Sequence, residues 1–407
     1  MPELKPFTGV RYSSSSDISD LVCPPYDVIS PAQQEALHTR HPHNAVRLEL
    51  AMSGRYEGVY DTFLEWLDER VLQAEEAPSL YVYRQDFVAP GGERRRVAGV
   101  LGALKLEPFG SGVLPHEQTM AGPKEDRLAL MRACAVNVSP IYAIYRGAGK
   151  LQAFLDGLES RPPAYEFTDD EGIRHRLWVT SVPAEVDLLG DAVSDGPLVI
   201  ADGHHRYETA LAYHAEQERD GPHDSMMCFC VDADVEDLVV LPYNRAVRTS
   251  APEASIRSTL MVSFGGTDVN VGEADALLAR SSDDHPFVFE FRDSAVLARV
   301  TDDQVIAGVG ERHPAWRDLD VVALHEVLLP AVAPDGLDDV RFSREPAEVA
   351  RLVEEEGFTF GVLLRALDAP RIVDAARSGE RMPQKASYFW PKAVTGLVFR
   401  PLTHLRA

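Results

Sequence analysis

Cysteine is scarce in this chain of 407 residues, with only Cys23, Cys134, Cys228 and Cys230. No pair has Cys-x-x-Cys spacing, so a redox or metal motif of that kind is absent. Cys228 and Cys230 alternate along an apparent strand. They share a face without forming an ordinary disulfide, and reduced thiols in a cytoplasm are expected. Positive charge is also short: 40 Lys and Arg stand against 64 Asp and Glu, for a net charge of -24. That argues against nonspecific binding to nucleic acid or to an anionic membrane, both of which rely on basic surface, so neither partner is expected. A local basic pocket stays compatible with it. No apolar run reaches membrane-spanning length. Residues 1–7 hold no apolar segment of the kind a signal peptide needs, which again points to a cytoplasmic and, by its Ala- and Arg-rich composition, bacterial protein. There is no internal repeat and no low-complexity tract. The hydrophobic fraction of 45% is that of an ordinary globular chain, and the length suits two or three domains.

What the chain does have is a dense polar cluster set into an apolar frame, Leu198-Val-Ile-Ala-Asp-Gly-His-His-Arg-Tyr-Glu-Thr-Ala-Leu211. Residues 198–201 form an apolar run of strand length. Asp202-Gly203 breaks it, and Tyr207, Ala210 and Leu211 then recur at i, i+3, i+4, which predicts a helix. A helix start offers N–H donors and the positive end of a dipole, so it favours anions. Gly203 permits a positive φ or a close backbone approach. Arg206 has the fork geometry for phosphate, and His204 or His205 can move a proton near neutral pH. The plainer reading is a strand-to-helix turn with polar residues at its wet end. Five special residues without a spacer favour a phosphate-handling loop.

Three other stretches carry site-like residues. Cys23-Pro-Pro-Tyr-Asp-Val-Ile-Ser30 stiffens its approach with two prolines and so fixes Tyr26 and Asp27. Ser30-Pro31 followed by Gln33 is a capped helix start, with the helix running to about residue 41. Leu114 to Arg127 places His116 and Glu117 in a loop and, after Gly122-Pro123, starts a helix through residue 132 bearing Lys124 and Arg127. Lys124 and Arg127 supply local positive charge, and Glu117 is a candidate base or metal ligand. Met382-Pro-Gln-Lys-Ala-Ser-Tyr-Phe-Trp-Pro-Lys392 is a rigid loop whose Lys385 and Lys392 can close over an anion. Elsewhere the pattern predicts a polar loop over 13–16, strands over 44–50, 80–83, 96–104, 137–145, 165–168, 174–180 and 226–231, and an amphipathic helix over 56–72. Residues 250–380 alternate helices with strands and hold few site-like groups.

Taken together, Pro24-Pro-Tyr-Asp-Val28, Pro115-His-Glu117 with Gly122-Pro-Lys124 and Asp126-Arg127, Ala201-Asp-Gly-His-His-Arg-Tyr-Glu-Thr-Ala210, and Met382-Pro-Gln-Lys385 with Tyr388-Phe and Pro391-Lys392 resemble domain of unknown function 1015, a bacterial and archaeal family. A more distant likeness is to the ParB, sulfiredoxin and free serine kinase superfamily. Free serine kinases carry Asp-Gly-His followed by Arg, close to Asp202-Gly-His-His-Arg206. The sulfiredoxin cysteine is replaced here by His204, and no added helix-turn-helix of the ParB kind is evident. The resemblance implies an α+β (mixed α/β) fold. It places a ParB/sulfiredoxin-like catalytic region over 1–250, a smaller α/β region over 251–380, and a C-terminal segment, 381–407, returning to the site.

The function this implies is phosphoryl transfer between a nucleotide and a small hydroxyl compound, free serine being the named expectation. Asp202, His204, His205 and Glu117 would be catalytic. Gly203, Arg206, Lys124, Arg127, His116, Asp27, Tyr26, Lys385 and Lys392 would bind substrate or phosphate. Asp202 and Glu117 would hold Mg²⁺, with ATP or ADP as the nucleotide. The serine-kinase base is a glutamate, and Asp27, Glu49 and Glu117 all compete for that place. A phosphatase or nucleotide hydrolase in the same pocket and a non-catalytic nucleotide-binding regulator are the alternatives. A metal hydrolase built on His204, His205 and His116 is weaker, because no His-x-x-x-His pair is present there.

Overall fold

The computed structural model describes residues 1–13, 18–52, 54–117, 122–281 and 284–403. All but Ser13 of the polar loop expected over 13–16 lies outside these residues, as do 118–121 of the His116 segment and the last four positions. The fold is mixed α/β, in two compact units. The first comprises Met1–Pro115, Thr119–Leu238 and Pro391–Ala407; the second comprises His116–Gln118 and Val239–Trp390. The division therefore falls about ten residues away from the expected borders at 250 and 380, because Asn244–Arg248 is a strand of the second sheet. No helix is long and apolar enough among the described residues to cross a membrane.

The first unit is built on a nine-stranded mixed sheet. Its order runs Val113–Pro115, Leu198–Asp202, Ile141–Tyr145, Ser225–Asp232, Arg94–Lys105, Leu80–Val88, Arg174–Thr180 and Tyr165–Thr168, with Leu4–Lys5 also paired to Arg94–Lys105. The inner strands are near-continuous apolar runs, as strands covered on both faces are. Leu80, Val82, Val100, Ile141, Leu198, Ile200, Met226, Cys228 and Cys230 point to one core. Leu189 and Val193 of helix Pro183–Ser194 and Tyr207 and Ala210 of helix His204–Ala215 cover it. Cys228 and Cys230 share that face as free, buried thiols. A hairpin turn near 90–92 joins Leu80–Val88 to Arg94–Lys105, and Ser30 and Gln33 form the expected capping box on Pro31–Arg40.

Three expectations are corrected. Residues 44–50 hold a short helix, Val46–Glu49, not a strand. The Asn44 side chain accepts from the Val46 N–H at 2.9 Å, a local bond that ends extended chain and outcompetes the alternating pattern. The run 137–145 is two strands, Val136–Asn137 and Ile141–Tyr145, interrupted at Ser139-Pro140. The amphipathic helix stops at Asp68, and Leu72–Ala74 is a strand pairing with Val10–Tyr12.

The second unit holds a six-stranded antiparallel sheet. Its order is Thr267–Val269, Ser294–Val300, His285–Phe291, Phe360–Leu363, Asn244–Arg248 and Asp339–Ser343. Helix Pro346–Glu355 buries Val349, Leu352 and Val353 against Ala246, Val288 and Leu363. A two-stranded ladder, Val239–Leu241 with Tyr388–Trp390, lies in the same unit.

Strand approach in the first unit tolerates no side chain at Gly99, which faces Val231 across the ladder. A Cβ there would press on the Cys230 carbonyl and lie 2.7 Å from Val231 Cγ2. Overpacking of this kind costs about 1–3 kcal/mol. Gly99→Ala is expected to lower the unfolding free energy by that amount, read as a lower urea midpoint, and an unchanged midpoint would contradict the packing described.

Candidate functional site

The central turn of the first unit forms as its residues dictate. Leu198–Asp202 is held between Val113–Pro115, parallel, and Ile141–Tyr145, antiparallel, and the register slips between Ile200 and Asp202. That irregularity skips Ala201, and Asp202, paired with Tyr142, is the last residue of the strand. Gly203 then takes φ 88°, ψ 28°, and helix His204–Ala215 begins, its first intrahelical bond running from Tyr207 N to Gly203 O at 3.0 Å. Glycine is required on two counts. The φ is left-handed, and a Cβ would lie 2.9 Å from Ile141 Cγ2 and 3.0 Å from Arg206 Nε.

Asp202 is the centre of the charge arrangement. Its side chain is only 12% exposed; Oδ1 accepts from Lys392 Nζ and Oδ2 from Arg206 Nη2 at 2.6 Å. Burial pushes its pKa up, but Lys392, Arg206 and the nearby His204 outweigh burial and hold the carboxyl at about 2. Lys392 reaches this point because residues 391–403 are strapped to the first unit. Its carbonyl accepts from Gln85 Nε2 at 2.9 Å, Thr395 exchanges backbone bonds with Cys23, and Phe399 with Val10. Residues 391–403 thus pack within the first unit, whereas 381–390 belongs to the second.

Behind Asp202 runs a buried chain of alternating charge. Arg206 Nη1 donates to the Pro140 carbonyl at 2.6 Å and to Ser139 Oγ at 3.1 Å. Ser139 Oγ donates to Glu49 Oε1 at 3.0 Å. Glu49 lies 3.6 Å from Arg127 Nη1, and that nitrogen also bonds the Glu49 carbonyl at 3.0 Å. Arg127 in turn grips Asp126 at 2.6 Å and stacks over the Tyr26 ring at 4.0 Å. Burial and then the Arg206 and Asp27 charges act on Tyr26, with burial prevailing and pushing its hydroxyl to about 12. Arg206 itself, although burial opposes its charge, is raised by Asp202, Asp27 and Glu49, so all three acids lie within its field.

This geometry corrects several expected roles. Arg206 and Arg127 do not present open forks to a ligand, since both are buried and their terminal nitrogens are committed to protein oxygens. They position the loop. Asp202 does not fit a resident Mg²⁺, because each of its oxygens already accepts from a cation. Glu49 is 2% exposed and spent on Ser139 and Arg127, which removes it from the competing bases. His204 is buried in the first helical turn, whereas His205 is half-buried and Asp27 exposed. Lys124 pairs with Glu208 on the neighbouring helix.

His116, Glu117 and Lys385 belong to the second unit. There the structure brings together motifs far apart in sequence. His116 Nε2 lies 2.8 Å from Ser387 Oγ, Met382 N donates to the His116 carbonyl at 2.8 Å, and Glu117 bridges Met382. Lys385 has φ 54°, a strained left-handed value for a non-glycine, and its Nζ sits 5.0 Å over the Tyr243 ring. Its carbonyl accepts from Arg245 Nη2 at 3.2 Å. Arg245 lies in strand Asn244–Arg248. It is fully buried, and burial pulls its pKa down to about 9.

The sequence matches the family described as "Protein of unknown function (DUF1015)" over residues 4–322. The chain belongs to this family. No curated protein matches this DUF1015 member. Solved structures similar to it include a free serine kinase in complex with AMP (12% identity over 68% of this chain and 83% of that one, TM-score 0.35). SbnI with a C-terminal truncation, from Staphylococcus aureus, has 11% identity, 72% and 85% coverage and TM-score 0.39. A conserved hypothetical protein from Pyrococcus furiosus has 10% identity, 68% and 87% coverage and TM-score 0.35.

The Asp202 clamp has a pH signature. Its folded pKa, about 2, lies below the ordinary 3.8, so its stabilisation is fully present above pH 4 and is lost as pH falls through 2. The shift corresponds to about 2–3 kcal/mol. Urea unfolding at pH 5 and pH 2.5 is expected to show a smaller acid loss in Asp202→Asn than in the parent chain, and equal losses would contradict the clamp. Gly203→Ala is expected to cost more than about 1 kcal/mol at pH 7, through both φ and crowding, read as a lower urea midpoint.

Proposed function

We propose that the first unit transfers a phosphoryl group from a nucleotide to a small hydroxyl compound at the Asp202–Arg206 turn. One observation carries this reading: a single ionised carboxylate holds two cations at the start of a twelve-residue helix, behind a left-handed glycine. The trio of Asp202, Arg206 and Lys392 has net charge +1 within a chain of -24. A helix start and a local positive charge together favour a phosphate dianion. Phosphoryl transfer asks for positioning and charge neutralisation more than for covalent help, which is what such a turn supplies.

The roles are assigned group by group. Arg206 fixes Asp202, and Asp202 fixes Lys392, whose ammonium we assign to the transferred phosphoryl oxygens. His205, half-buried at the first helical position after His204, is placed to hold or move a proton on that group. Asp27, exposed on the Pro24-Pro25 turn and within the field of Arg206, is assigned as the acceptor of the hydroxyl proton. The attacking oxygen forms the new P–O bond as the bond to the nucleotide breaks, and its proton passes to Asp27. Any magnesium enters with the nucleotide as part of the substrate. Free serine is the acceptor that the Asp-Gly-His-Arg resemblance suggests.

The test is phosphorus NMR on the full chain with Mg²⁺ and ATP, ADP or pyrophosphate, with and without an amino-acid mixture. A new phosphate ester that needs the acceptor is expected. Lys392→Met should slow its formation by about 100-fold or more, the cost of losing one preorganised charge contact. Inorganic phosphate released without acceptor would replace transfer by hydrolysis, and unchanged spectra with every donor would overturn the enzymatic reading.

A further inference from the structure

Downstream of the turn, helix His204–Ala215 ends and the chain loops through residues 216–224 into strand Ser225–Asp232. Three metal-type ligands meet there: His214 on the last helical turn, and His223 and Asp224 in the 3-10 turn before the strand. Their donor atoms all lie within 4.8 Å of one another. We propose that His214, His223 and Asp224 form a zinc site that ties the end of this helix to the strand after it.

The distances carry the inference. Asp224 Oδ1 lies 3.2 Å from His214 Nδ1 and 3.4 Å from His223 Nε2. A tetrahedral zinc with ligands at about 2.0–2.1 Å needs donor atoms about 3.3 Å apart. Two imidazole nitrogens thus converge on one carboxylate oxygen at the edge length of that tetrahedron. His214 Nδ1 and Asp224 Oδ1 are themselves shielded from solvent, yet no hydrogen bond reaches either atom. The two atoms face each other at 3.2 Å as an ion pair without hydrogen-bond geometry, an arrangement that a cation between them would satisfy. An ordinary His–Asp contact would instead rotate slightly into a hydrogen bond.

The surroundings orient the set. The second Asp224 oxygen accepts from the Gly221 N–H at 3.0 Å, leaving Oδ1 for the metal, as outer partners of ligating carboxylates do. Gly221 also makes room for the ring: a Cβ there would lie 2.8 Å from His223 Cε1. The Arg219 carbonyl, 2.8 Å from His223 Nε2, accepts from that nitrogen in the metal-free protein; ligation through Nε2 requires the ring proton to sit on Nδ1 instead, which releases this hydrogen bond. Two nitrogens and one carboxylate oxygen suit zinc better than magnesium or calcium, which prefer all-oxygen sets. The site is distinct from the Asp202 clamp and does not rest on the activity proposed above.

The test uses the full chain, stripped with a chelator and titrated with zinc against a chromophoric competitor. One tightly bound equivalent is expected, and X-ray absorption at the zinc edge should report two imidazole ligands. His214→Ala and Asp224→Asn should each weaken binding by about 100-fold or more, since even outer-sphere partners are worth 10–100-fold. The folded state of each variant is checked by circular dichroism. The absorption measurement on the parent chain decides the matter even if a variant does not fold. No bound equivalent, a spectrum without two imidazoles, or unaltered affinity in folded variants would overturn the proposal.

Discussion

The first unit depends on one buried carboxylate. Asp202 sits at the end of an apolar strand, where a lone charge would be expelled or neutralised. It remains ionised because Lys392 and Arg206 approach from two directions. Each of these cations requires structure of its own. Arg206 needs the break at Ser139-Pro140, whose carbonyl and hydroxyl oxygens receive its other nitrogen. Lys392 needs the C-terminal strap, pinned to Cys23, Val10 and Gln85. Segments around positions 23, 139, 206 and 392 are thus coupled through a single pair of oxygens.

The same economy explains why arginines that look like ligands in sequence act as framework. Removing either partner of a buried pair strands the other, a larger loss than the pair's net worth. Arg206, Glu49 and Arg127 form such an alternating series, with Ser139 between the first two and the Tyr26 ring beneath the third. Asp27 is exposed and His205 half-buried at the margin of the network, while Lys392 is held against Asp202. A rigid, charge-balanced interior behind a few accessible groups is how a site keeps its geometry while substrates exchange.

The sequence made the turn itself legible, because an apolar run, a glycine and a helical repeat each have a local cause. Ser30 with Gln33 and the shared face of Cys228 and Cys230 were legible for the same reason. Less legible was whatever depends on a distant partner. Alternation over 44–50 suggested a strand, but the Asn44 side chain bonds its own backbone and the stretch coils instead. The burial of Arg206 and Arg127 follows from Ser139, Pro140 and Glu49, which no spacing rule connects to them. Arg245, enclosed in the second unit, looks from its sequence like any arginine after a strand. The pairing of His116 with Ser387 spans 271 positions and is likewise a tertiary fact.

The central claim is that the Asp202-clamped turn receives a nucleotide phosphate. It is tested most directly by backbone amide NMR of the isotopically labelled chain during titration with ADP. The account predicts saturable shifts centred on the amides of Gly203, His204, His205 and Arg206, abolished in Lys392→Met while the rest of that variant's spectrum stays folded. Binding that leaves these four amides unmoved and perturbs another region would contradict it.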